Sequence, residues 1–293
     1  MTDSKTDSHS RAVKKLTRKD FPRGFLEIPD PPEKLFLRGT LPESDKLLLT
    51  VVGSRKCTRY GEEAARAIVT GLAGYPLAIV SGLALGLDGV AHRSALEAGL
   101  RTVAIPGSGL DDSVLYPRAH LRLAHDILDS GGALLSEMEP RERALPHTFP
   151  KRNRLMAGIS GAVLVVEADE RSGSLITARL ALEYNRDVLA VPGTIFSRVS
   201  RGTNALIRDG ATPITTAEDI LHHFGLESAG KMALDNTSLS PNEKLLVECL
   251  REPRSRDELT KMLKLPVAEV SVLVTELEVK GIIKNNSGVF HAV

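Results

Sequence analysis

The sequence predicts an α/β protein, a doubly wound and mostly parallel sheet followed by a small winged-helix module. Three observations predict it. Continuous apolar runs alternate with stretches of helical spacing from about residue 47 to 224, the pattern of strands and crossover helices. Turns rich in glycine, serine and small residues follow those runs: Gly53, Ser54 and Arg55; SGLALGLDGVAH at 81–92; PGSGLD at 106–111; Ser172, Gly173 and Ser174; and Gly202, Thr203 and Asn204. Beyond residue 240 the pattern becomes three helices and a hairpin.

Residues 1–20 hold few large apolar residues and no clear period, and read as a disordered tail. Pro22, Pro29, Pro31, Pro32 and Pro42 make 21–46 an extended lead-in rather than helix. LLLTVVG at 47–53 is a buried parallel strand, and 60–73 has helical spacing. Strands follow at 77–82, 101–106 and 133–138, with helices at 86–98 and 117–129. A helix starts at Asn153 and ends at 159, before AVLVVEA at 162–168, the clearest buried strand. Helix 175–184, strand 187–193 and short helices at 205–209 and 216–224 complete a domain spanning 21–225. Crossovers between such parallel strands are right-handed.

Residues 226–240 are small and polar and read as a linker. Ser240, Pro241 and Glu243 have N-cap, N1 and N3 chemistry, opening a helix over 241–251. Ser255 and Glu258 form a second capping box, opening a helix to Leu263. A third helix covers 266–280, and 281–293 is a two-strand ribbon turning at Asn285, Asn286, Ser287 and Gly288. The third helix carries Glu269, Glu276 and Glu278 against one lysine. An acidic helix repels phosphate, so this module, 241–293, is expected to contact protein rather than duplex DNA.

The chain has 293 residues and a net charge of +1, so any anion site must arise from local clustering. Cys57 and Cys249 lie far apart and imply neither a disulfide framework nor a zinc site. There is no apolar run of membrane-spanning length and no signal-peptide core, and a cytoplasmic location is the default. Dinucleotide and P-loop fingerprints are absent, and no cofactor or metal is expected.

In a parallel sheet the turns after the strands gather on one edge, where backbone N–H groups and helix N-termini favour anions. HTFPKRNR at 147–154 puts Lys151, Arg152 and Arg154 just before a helix, with Phe149 beside them. Cations that hold phosphates next to a ring that stacks on bases suit a single-stranded nucleic acid. The same cluster fits a solvated basic face with Phe149 in the core. Arg55 after the first strand is placed for phosphate or for a structural ion pair, and Ser54 for the same phosphate. Ser172 and Thr203 stand at N-cap positions, and Gly173 and Gly202 allow close approach of a ligand backbone. Ser81, Asp88 and His92 could suggest a hydrolase, but Asp88 as a cap or orienting group and His92 in the crevice wall explain them better.

Six ordered motifs carry a family resemblance: VVGSRKCTRYG at 51–61, SGLALGLDGVAHRSAL at 81–96, FPKRNRLMAGIS at 149–160, SGSLITARLALE at 172–183, DVLAVPG at 187–193 and GTNALIRDGA at 202–211. IPDPP and LFLRG precede them. Over about 21–225 the chain resembles the DNA-processing protein A (Smf) family, and the tail fits that family more loosely. The sterile-alpha-motif type domain that opens many members has no counterpart in these motifs, and functions tied to it are not carried over. The resemblance implies an extended Rossmann-like domain that binds single-stranded DNA, forms homodimers, protects incoming strands in natural transformation and helps load a RecA-type recombinase. It implies that Ser54, Arg55, Lys151, Arg152, Asn153 and Arg154 contact phosphates or shape their site and that Phe149 touches bases; with Gly53, Ser172, Gly173, Ser174 and Asn204 of the turns, these are the expected DNA-binding residues. No catalytic role attaches to these positions. The alternative is a nucleotide-hydrolysing enzyme of the phosphoribohydrolase type, whose PGGxGTxxE-type motif is only half matched by PGSG at 106–109.

Overall fold

In the computed structural model, residues 12–226, 240–250, 254–263, 265–279, 283–286 and 289–292 are described. The chain divides into two units, Met1–Met232 and Ala233–Val293. The described residues of the first form a nine-stranded sheet: β1 (Lys14–Leu16), β2 (Leu35–Gly39), β3 (Leu47–Val52), β4 (Leu77–Ser81), β5 (Arg101–Ala104), β6 (Ala133–Ser136), β7 (Ala162–Val165), β8 (Asp187–Ala190) and β9 (Thr212–Pro213). The spatial order is β1-β2-β6-β5-β4-β3-β7-β8-β9. All strands from β3 to β9 run parallel. β2 joins β6 antiparallel, and β1 joins β2 antiparallel.

The chain enters the sheet at its middle. β3, α2 (Arg59–Gly71), β4, α3 (Leu87–Glu97), β5, α4 (Leu121–Asp129) and β6 wind out to one side. α5 (Thr148–Ile159) then returns the chain to β7, on the other flank of β3, and α6 (Gly173–Glu183), β8, α7 (Arg201–Arg208), β9 and α8 (Ala217–His223) follow. Strand residues alternate between two cores. Leu49 and Val51 of β3 pack with Ala65, Ile68 and Val69 of α2 on one face. Val52 packs with Leu155 and Met156 of α5 and Ala178 of α6 on the other. Two-sided burial explains why these strands read as unbroken apolar runs. The one hydroxyl in β3, Thr50, is satisfied by the Met156 carbonyl at 2.8 Å and Ser160 Oγ at 2.7 Å.

Several expectations are corrected. The tail reading fails for its final residues: Lys14–Leu16 pair with Leu35–Leu37 as an edge strand, and Thr17 and Asp20 close a capping box. The lead-in is not wholly extended. It holds a single helical turn, α1 (Arg23–Leu26); its extended part includes β2, whose five residues are all buried and therefore show no alternation. α5 begins at Thr148, not Asn153. Pro150 does not break it, because a first-turn N–H has no intrahelical partner to lose. α7 likewise begins at Arg201, not Ala205, so the stretch read as a turn, 202–204, is helical. Residues 227–239 of the expected linker lie outside the described residues.

The second unit packs α9 (Pro241–Cys249), α10 (Arg256–Leu263) and α11 (Val267–Val279) around Leu246, Leu259, Val274 and Phe290. Both capping boxes form: Glu243 N–H donates to Ser240 Oγ at 3.3 Å, and Ser255 N–H donates to Glu258 Oε2 at 2.8 Å. β10 (Arg254–Ser255), not expected from the sequence, joins β11 (Ile283–Asn286) and β12 (Val289–Ala292) in the order β10-β12-β11. Asn285 and Asn286, expected in the turn, belong to β11, and 287–288 lie outside the described residues.

Candidate nucleic-acid interface

β3 and β7 are neighbours, yet the chain leaves them toward opposite faces of the sheet. The loops that follow them part, and a crevice opens at this topological switch point, where ligands of open α/β sheets bind. It measures about 870 Å³. One wall is Gly53, Ser54, Arg55 and Lys56 after β3. The other is Asp169, Arg171, Ser172, Gly173, Ser174 and Thr177 around the start of α6. Phe149, Arg152 and Asn153 of α5 also line it, with Ala84, Asp88 and Arg198.

Nine of the twelve sequence-predicted positions meet here: Gly53, Ser54, Arg55, Phe149, Arg152, Asn153, Ser172, Gly173 and Ser174. Lys151, Arg154 and Asn204 do not line the crevice. The basic cluster at 151–154 is helical, and successive helical residues turn by about 100°, so the cations fan apart. Lys151 is exposed. Arg152 is buried, and its Nη1 donates to the carbonyls of Gly82 at 2.5 Å and of Ile105. Arg154 turns to the far side, onto Glu137 Oε1 at 2.5 Å and Asp30 Oδ2 at 3.4 Å. Asn204 is spent on the backbone of Gly193, accepting from its N–H at 3.1 Å and donating to its carbonyl at 2.9 Å.

Two of the five turns therefore buttress rather than line the crevice. The Gly107 carbonyl accepts from Thr148 Oγ1 at 2.6 Å and seats the start of α5. Gly202 N–H donates to the Ala168 carbonyl at 2.8 Å.

The crevice is cationic although the chain is nearly neutral. Arg55, Lys56, Arg152, Arg171 and Arg198 face Asp88 and Asp169. Both carboxylates have partners in this set. Arg198 Nε meets Asp169 Oδ2 at 2.6 Å and holds that carboxyl below its usual range. Burial pushes the Asp88 carboxyl up, opposed by the Arg152 guanidinium. Burial lowers Arg152 to about 10, so it stays charged at neutral pH. Arg55, Lys56 and Arg171 remain, exposed and without an ion pair among the described residues. The N-terminal end of α6, capped by Ser172 through Ser174 N–H, adds its positive dipole end. Sequence reasoning missed Lys56 and Arg171, which directly flank the turns it identified, and Arg198, which enters from the β8–α7 connection with no local signal.

Ser81, Asp88 and His92 all have structural work. Ser81 Oγ donates to the Val51 carbonyl at 2.6 Å, Asp88 Oδ2 accepts from Ala84 N–H at 3.3 Å, and His92 Nδ1 pairs with Thr102 Oγ1 at 2.7 Å. Burial, then the nearby His120, Arg152 and Arg93, hold His92 down to about 3.

The chain is similar to known proteins in sequence and in fold. The family model described as DNA recombination-mediator protein A matches residues 13–225, and the DprA winged helix domain matches 231–288. The chain is 41% identical to Protein Smf of Escherichia coli (strain K12) over 271 residues, 89% of this chain and 72% of that protein. It is 43% identical to the DNA processing protein DprA of Streptococcus pneumoniae over 204 residues, 70% and 71% of the two chains. The X-ray structure of the Streptococcus pneumoniae protein superposes with a TM-score of 0.67 at 40% identity, covering 72% of this chain and 74% of that one. DNA processing protein A from Helicobacter pylori, solved for its single-stranded DNA binding mode, superposes at 0.64 and 30% identity, covering 73% and 96%. With its doubly wound sheet, cationic switch-point crevice and winged-helix tail, the chain belongs to the DNA recombination-mediator protein A family.

Proposed function

We propose that this protein binds single-stranded DNA along the switch-point crevice, chiefly through phosphates. The observation that carries the reading is the set of three exposed cations without an ion pair among the described residues, Arg55 and Lys56 on one wall and Arg171 on the other, beside the N-terminus of α6. Guanidinium forks and helix N–H groups match phosphate oxygens and carry no base preference. The Helicobacter pylori relative's single-stranded DNA binding supports it. In this reading the protein acts as a cytoplasmic homodimer that shields incoming strands and helps load a RecA-type recombinase. Gly53, Ser54, Asn153, Ser172, Gly173 and Ser174 shape the phosphate path, while Arg154 and Asn204 hold the elements that carry it. It works by binding and not by catalysis. The winged-helix unit contacts protein: Glu269 and Glu276 of α11 are exposed beside Val267 and Val272, a surface that repels a phosphate backbone.

Arg55→Glu combined with Arg171→Glu tests this. Both side chains are exposed, so circular dichroism should be unchanged while the gel shift of an oligothymidine disappears. An unaltered shift would refute the proposal.

A further inference from the structure

One face of the Phe149 ring is already taken. The Arg55 guanidinium lies over its ring, 5.0 Å from the centroid. The Tyr116 ring meets it at 5.7 Å, inclined by 59°. The Gly107 backbone closes in as well: a Cβ there would lie 2.7 Å from the ring. Phe149 thus holds Arg55 in place, and a base stacking on the face that Arg55 covers would have to displace that cation. Next to it stand two large apolar side chains that the phosphate reading leaves unused, Tyr116 at 48% and Leu85 at 47% exposed. They border a notch of about 40 Å³ that also touches Arg55 and Phe149. A notch of that size holds about one water molecule, so a ligand lies across its mouth rather than inside it. Arg55, Ala84 and Phe149 line both the notch and the crevice, which makes the two surfaces continuous. Arg118, two residues beyond Tyr116 in the chain, is exposed and donates to the Asp112 carbonyl at 2.5 Å.

We propose that Tyr116 and Leu85 form a nucleobase subsite. One unpaired base, of the strand whose phosphate Arg55 grips, lies flat against the Tyr116 ring with Leu85 at its edge. Arg55 beside it selects a polyanion, and the aromatic face accepts any base because every base offers a π-face. The subsite rests on the proposed single-stranded DNA reading and extends it beyond the crevice.

The test uses the full chain with two labelled strands of equal length, an oligothymidine and an abasic oligonucleotide. Tyr116→Ala should weaken oligothymidine binding about tenfold, Leu85→Ala less, and Tyr116→Phe not at all. All three should bind the abasic strand as the parent protein does. The chain has no tryptophan and four tyrosines, so tyrosine emission is readable: oligothymidine should quench it more in the parent than in Tyr116→Phe. If Tyr116→Ala binds oligothymidine normally while Arg55→Glu does not, the subsite is overturned and the phosphate reading stands. Equal loss of both strands in Tyr116→Ala overturns the subsite as well, since the effect is then structural. If the parent protein binds neither strand, both readings fall.

Discussion

Asn153 donates its side-chain amide to the carbonyl of Gly173 at 3.3 Å, tying α5 to the first turn of α6 across the crevice floor. The bond fixes how the α6 N-terminus faces the opening. An added Cβ at Gly173 would meet nothing within 4 Å. Glycine is therefore not required there by packing, and its lack of a side chain serves whatever approaches from the crevice.

Gly173→Ala separates these roles. The substitution should leave stability unchanged or raise it by about 0.4–1 kcal/mol through the unfolded chain. Affinity for an oligothymidine should fall. Urea denaturation and fluorescence anisotropy on the same sample read the two effects, and lost stability with normal binding would contradict the argument.

Arg152 anchors the loops after β4 and β5 and lies in the field of buried Asp88. Arg152→Met should cost about 1–3 kcal/mol or more, because it strips the buried carbonyls of Gly82 and Ile105 of their donor and removes a charge that opposes the burial of Asp88. Adding Asp88→Asn should recover part of that loss. A double-mutant cycle in urea measures the coupling, and strictly additive losses would show that the pair does not interact.

His92 makes stability acid-sensitive. Its folded value is about 3 against 6.5 for the free side chain, so between those values the unfolded chain binds a proton that the folded one refuses. Stability then falls as pH drops below about 6.5, by at most ~1.4 kcal/mol per pH unit. Asp88 acts oppositely, because burial raises its carboxyl and acid relieves that cost. The His92→Gln variant should lose less thermal stability than the parent between neutral pH and mild acid, and parallel curves would rule out His92 as the cause.

Salt should weaken binding steeply. Each neutralised phosphate of a single strand contributes about −0.7 to the slope of log affinity against log salt. Arg55, Lys56 and Arg171 alone predict a slope near −2 on that basis. Arg171→Gln should make it shallower by about 0.7. A slope indifferent to Arg171 would remove that residue from the phosphate path.

The sequence by itself determined the strand–helix alternation, the parallel sheet and the winged-helix tail. Those signals are local: β3 and β7 are buried on both faces and read as apolar runs, and the two capping boxes close where Ser240 and Ser255 stand. It also identified nine crevice residues, because glycine, serine and arginine at strand ends have chemistry legible without contacts. Only the tertiary structure decided which cations face the crevice. Helical rotation sends Arg152 inward and Arg154 to the far side, although they are two residues apart. Arg198 reaches the crevice through Asp169, and Tyr116 reaches Phe149 from a separate loop. β3 and β7, more than a hundred residues apart, become neighbours only when α5 carries the chain back past β3. The crevice exists because the chain reverses its direction of winding there, and that reversal is a property of strand order, which no local stretch of residues encodes.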